Sequence, residues 1–135
     1  MIGILVVSHG RLAKELLAAT EHVVGPLEAS RAVCVGPDDD LEQRRAEVEA
    51  ALAEIDDGQG VVIVTDMFGG TPANLAVGFL EKGRVEVLAG ANLPMLIKIA
   101  ESRESMGVAE VAEAARDAGR RYIAVASQSQ AGDAK

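Results

Sequence analysis

Four short apolar runs constrain this chain more than any other feature: Ile2 to Val7, Ala32 to Val35, Val61 to Thr65 and Val85 to Ala89. Each has the length and β-branched composition of a strand, and residues with helical spacing separate one run from the next. Apart from Thr65 and Glu86, the runs are continuous in small and apolar residues instead of alternating. That implies strands buried on both faces, as in a parallel sheet covered by helices. With aromatic residues at only 2% of 135 positions, the core has to be assembled from Val, Leu, Ile and Ala, which suits this architecture.

The connecting segments fill in the pattern. After the first run, Leu12, Leu16, Ala19 and Val23 fall on one side of a helix, with Ala13, Leu17 and Thr20 beside them, and Gly25-Pro26 ends it. After the second, Asp40 followed by Gln43 reads as a capping box, and Leu41, Val48, Leu52 and Ile55 form the inward stripe. After the third comes a helix over Pro72 to Lys82 with Leu75, Ala76, Phe79 and Leu80 inward. Pro94 to Glu101 and Val108 to Ala118 read as two further helices, and Tyr122 to Ala126 as a fifth strand. The expected fold class is α/β: one doubly wound open sheet of four parallel strands in the order 2-1-3-4, flanked by helices, plus the C-terminal strand. Residues 1–126 form one domain and 127–135, small and polar, a loose tail.

Charge and cysteine usage exclude some functions. A formal net charge of -8 repels nucleic acid and anionic lipid. The single cysteine, Cys34, forms no internal disulfide and reads as a buried thiol in a reducing compartment. The opening run is too short for a signal peptide and no later stretch reaches membrane-spanning length, so the expectation is a cytoplasmic protein with no membrane insertion.

Right-handed crossovers put the ligand site of such a sheet beyond the carboxyl ends of its strands, at the point where strand order reverses. Two unusual stretches lie there: Ser8-His9-Gly10 after the first strand, and Asp66-Met67-Phe68-Gly69-Gly70-Thr71-Pro72 after the third. In the order 2-1-3-4 these strands are neighbours, so His9 faces Asp66. A carboxylate that accepts a hydrogen bond from one imidazole nitrogen fixes the tautomer and leaves the other nitrogen as a nucleophile. Gly69 and Gly70 let backbone N–H groups approach a ligand, Thr71 can cap the helix that starts at Pro72, and together they suit a phosphoryl group. Singly, each element has an ordinary structural explanation, and it is their convergence that carries the chemical reading. Met67 and Phe68 belong to an exposed loop and are candidates for a partner surface, with packing on the sheet edge the alternative. Asn92 either contacts a partner or makes the turn after the fourth strand. His22 reads as a solvated helix residue, and Asp38-Asp39-Asp40 as a loop with a helix cap instead of a cation site.

Three blocks carry a family resemblance: Ile4-Leu5-Val6-Val7-Ser8-His9-Gly10, Val64 to Asn74, and Ala89-Gly90-Ala91-Asn92-Leu93-Pro94-Met95-Leu96. In this order they resemble the enzyme IIA domains of the mannose family of the bacterial phosphoenolpyruvate-dependent sugar phosphotransferase system. The resemblance runs over residues 1 to about 126. It implies a phosphotransferase without metal or cofactor, in which His9 takes a phosphoryl group from the phosphocarrier HPr and passes it to a IIB component. Asp66 matches the family's hydrogen-bonded aspartate, and Gly70 and Thr71 its phosphoryl-binding turn. The resemblance also implies a homodimer that exchanges the fifth strand.

Rival readings are a regulatory phosphorelay or interaction module without transport, the phosphotransfer subunit of a dihydroxyacetone kinase, and a receiver domain. The kinase subunit, as that group is understood, lacks the Phe-Gly-Gly-Thr-Pro-x-Asn stretch. A receiver needs an acidic pair after the first strand to hold magnesium, where this chain has Ser8-His9.

Overall fold

The computed structural model describes residues 1–128. β1 (Gly3–His9), β2 (Ser30–Val35), β3 (Val61–Thr65) and β4 (Val85–Leu88) form one parallel sheet in the order β2-β1-β3-β4. Five helices accompany them: α1 (Leu12–Val24), α2 (Leu41–Ile55), α3 (Thr71–Val77), α4 (Leu93–Ser102) and α5 (Val108–Arg121). β1 is paired on both sides, with Val7 opposite Val33 on one edge and Thr65 on the other. That places the ends of β1 and β3 side by side at the centre of the sheet.

The continuous apolar runs are explained by two cores. Ile2, Ile4, Val6, Val62 and Val64 point to one face and meet Ala13 of α1 together with Leu96, Ile99 and Val111 of α4 and α5. Leu5, Val7, Val33, Val61 and Ile63 point to the other and meet Val48 and Ile55 of α2 and Leu75 of α3. Burial of each such side chain contributes about 1.5–3 kcal/mol. Helices fall on both faces because the step from β1 to β2 runs in the opposite direction from the later steps, and each crossover keeps its right hand.

Several expected details are corrected. The inward face of α1 is Ala13, Leu16, Leu17 and Thr20 instead of the stripe through Leu12 and Val23, both of which are exposed. Leu41 and Leu80 are exposed as well. Asp40 does cap α2, accepting from the Glu42 N–H, with no reciprocal bond from Gln43. α3 stops at Val77 instead of Lys82, because Phe79 and Leu80 donate to carbonyls three residues back and the chain then folds tightly into β4.

The fifth strand is not formed within the described residues. Tyr122 caps α5, residues 123–125 are irregular, and Gln128 donates to the Val125 carbonyl in a final helical turn. A strand exists only through the ladder it joins, and this segment pairs with no edge of its own chain's sheet. The expected tail over 127–135 lies, beyond residue 128, outside the described residues.

Candidate functional site

His9 is the last residue of β1 and Asp66 the first after β3. Asp66 is deeply set and His9 half-exposed, their side chains being 13% and 52% accessible. One carboxylate oxygen, Asp66 Oδ2, accepts both the main-chain N–H of His9 at 2.9 Å and the ring Nδ1 at 2.8 Å. The other oxygen, Oδ1, accepts the Met67 N–H at 3.0 Å. Burial raises the Asp66 pKa, but the hydrogen bonds from His9 and Met67 and the positive character of the ring outweigh it and hold the carboxyl below its usual range. An ionised Asp66 has no proton to give. In the neutral ring the hydrogen therefore sits on Nδ1, and Nε2 is left with its lone pair.

Nε2 points toward the loop that opens α3. A methyl group on Gly70 would stand 2.7 Å from His9 Cε1 and 3.0 Å from Nε2, so only glycine lets the ring lie against this backbone. Gly70, with extended backbone, is the residue that caps α3; Thr71 is the first residue of the helix and its side chain makes no capping bond. The expected capping role of Thr71 therefore passes to Gly70, whose extended φ and ψ close the loop one residue earlier. Thr71 instead lines a shallow cavity of about 310 Å³ with His9, Gly10, Pro37 and Leu41. The first N–H groups of a helix lack intrahelical partners, so this loop presents donors on the side where Nε2 points.

The remaining candidates separate cleanly. Met67 and Phe68 are 57% and 62% exposed, at the rim of the site. Asn92 is committed to the fold: its side chain accepts from the Met95 N–H to cap α4 and donates to the Gly119 carbonyl of α5, both at 3.0 Å. Of the two roles open to it in the sequence, these bonds display the turn-making one. His22 is exposed on α1, away from the cavity that His9 lines. Asp39 accepts from Gly36 and faces Arg44 at 3.3 Å, and Asp40 caps α2. Among the described residues no cluster of His, Cys, Asp or Glu could hold a metal ion, and no helix is long and apolar enough to cross a membrane.

The sequence reading missed Leu12 and Leu41. Both read from the sequence as inward helix residues, and both are exposed at the first residue of their helices, Leu41 sharing with His9 the cavity described above. Their signal was position: each is the first residue of a helix that starts at the carboxyl end of the sheet.

A family model described as "PTS system fructose IIA component" (EIIA-man) matches residues 3–116. The chain is 33% identical over 104 residues to the "PTS system mannose-specific EIIAB component" of Escherichia coli (strain K12). That alignment covers 76% of this chain, which spans about a third, 32%, of the relative's length. It is 28% identical over 112 residues to the "PTS system fructose-specific EIIA component" of Bacillus subtilis (strain 168), 82% of this chain and 77% of that one. Among solved structures, the "mannose/sorbose specific IIA subunit of phosphotransferase system" from Enterococcus faecalis superposes with a TM-score of 0.81 at 32% identity, covering 92% of this chain and 93% of that one.

Proposed function

Because the chain belongs to the mannose family of phosphotransferase-system enzyme IIA components, we propose that it is a phosphocarrier in which His9 Nε2 is the phosphoryl acceptor. The observation that carries this reading is the double contact of His9, through its main-chain N–H and ring Nδ1, with one oxygen of Asp66, which in the neutral ring leaves Nε2, beside Gly70, as the nucleophile. In the forward step the lone pair of Nε2 attacks the phosphorus of a donor phosphohistidine. The new N–P bond forms as the donor's N–P bond breaks, and the donor ring recovers its lone pair. Nδ1 keeps its hydrogen throughout. Positive character then develops on the His9 ring, where the Asp66 carboxylate stabilises it.

Gly69, Gly70 and Thr71 supply main-chain donors for the phosphoryl oxygens, and no metal is required for the exchange. The donor is HPr and the acceptor a IIB component, both of which dock on the apolar rim formed by Leu12, Leu41, Met67 and Phe68. Transport of a sugar is the end use that the family favours. A homodimer built by exchange of the C-terminal segment is consistent with Tyr122, Ile123 and Val125, which are 64%, 74% and 60% exposed in the single chain. Its test is molecular mass in solution.

The phosphocarrier reading is tested by intact-mass spectrometry after incubation with phosphoenolpyruvate, enzyme I and HPr. The wild type should gain one acid-labile phosphoryl group and a His9→Ala chain none. No gain from a donor pair shown to be active on another IIA protein would overturn it.

A further inference from the structure

Resting on the phosphocarrier reading, we infer that Ser8 is a positioning residue for His9, acting through its buried hydroxyl. Ser8 is completely buried on the α1 side of the sheet. Its Oγ accepts the Ala13 N–H at 2.5 Å and faces the His9 carbonyl oxygen at 3.3 Å. A hydroxyl has one proton, and with the Ala13 N–H already donating to Oγ, that proton goes to the His9 carbonyl.

This contact matters because of how His9 is held. α1 has no side-chain cap of its own: Arg11 occupies the capping position without a capping bond. Between Arg11 and His9 the chain turns through Gly10 at φ +55. Ser8 therefore closes the turn from beneath, tying the first turn of α1 to the end of β1. Asp66 Oδ2 takes the His9 N–H and Nδ1 together, so the ring meets its carboxylate only while the His9 main chain keeps its orientation. The N–H side of that main chain is held by Asp66 and the carbonyl side by Ser8.

The competing explanation is a helix cap and nothing more. Loss of a cap alone lowers the unfolding temperature without altering the His9 ring, so the tautomer separates the two. Nitrogen-15 spectra of the imidazole should show wild type with hydrogen on Nδ1 only, Ser8→Ala with a mixture of tautomers, and Ser8→Thr, which retains a hydroxyl, restored to Nδ1. Phosphoryl acceptance per folded molecule should fall about tenfold in Ser8→Ala, the scale of a small misplacement of a reacting group. A Ser8→Ala chain with the wild-type tautomer and rate overturns the inference, whatever its melting temperature. Should that variant not fold, Ser8→Cys, whose thiol is only a weak donor and acceptor, takes its place with the same readouts: mixed tautomers and slowed acceptance support the inference, and the wild-type tautomer and rate overturn it. A wild type that accepts no phosphoryl group sinks the phosphocarrier reading, while the tautomer comparison still decides the role of Ser8.

Discussion

Two aspartates ten positions apart do the same chemistry at the two ends of β3 and arrive at opposite results. Asp56 precedes β3 and caps α2; it accepts the Gly58 and Gly60 N–H groups and pairs with Arg84 at 2.8 Å. Asp66 follows β3 and accepts the His9 and Met67 N–H groups and the His9 ring. Against the effect of burial at both, hydrogen bonds hold the two carboxyls below their usual range: from Gly58 and Gly60 with Arg84 at the first, and from His9 and Met67 at the second. The partner makes the difference. Arginine stays charged and offers only donors, so the Asp56 cluster is closed and structural. Histidine meets its aspartate with one nitrogen and keeps a lone pair on the other, so the Asp66 cluster is open to chemistry. A carboxylate with lowered pKa therefore identifies a reactive site only together with what it holds.

The contrast can be broken most sharply at the histidine. His9→Gln should abolish phosphoryl acceptance, read by intact mass. Asp66→Asn should preserve the fold and slow acceptance by roughly 10- to 100-fold, since the amide loses a charge-assisted bond of about 1.5–3 kcal/mol; an unchanged single-turnover rate would take Asp66 out of the mechanism. Gly70→Ala places a methyl group against His9 Cε1 and Nε2, and the resulting displacement of the ring should slow acceptance about tenfold with little change in unfolding temperature. At the other end, Asp56→Asn should cost about 1 kcal/mol in denaturant unfolding and leave acceptance untouched; a loss of activity there would erase the distinction.

The smallest effect is in acid. Because both folded-state pKa values are depressed, both carboxylates contribute stability that is full above the ordinary carboxylate range and is lost as pH falls through the depressed values. Each Asn variant should accordingly show a shallower decline of unfolding free energy at low pH than wild type. Parallel curves would mean that the depression exists in the unfolded chain too.

The site was legible in the sequence because its elements are local and the rule joining them is topological. His9 and Asp66 are 57 positions apart, yet each closes an apolar run, and the commonest order of a short doubly wound sheet, 2-1-3-4, leaves the first and third runs adjacent. What was not legible depended on neighbours. The faces of α1 and α2 were misread at Leu12 and Leu41 because periodicity reports an apolar stripe without saying where the sheet ends beneath it. Asn92 has two roles open to it in the sequence because its partner, the Gly119 carbonyl, arrives from α5. The segment from Tyr122 has the composition of a strand, but composition does not provide an edge to pair with.

Apolar run length and the helical spacing between runs are enough to specify the α/β class and the residue types that follow the first and third strands, and the strand order is the commonest one for such a pattern. Which imidazole nitrogen faces the carboxylate and which is left free comes from the folded arrangement. That choice follows from a single carboxylate oxygen shared by a main-chain N–H and a ring nitrogen, and from a glycine Cα against which the ring rests. Contacts of this kind are set by how three loops meet in space, and no spacing along the chain encodes them.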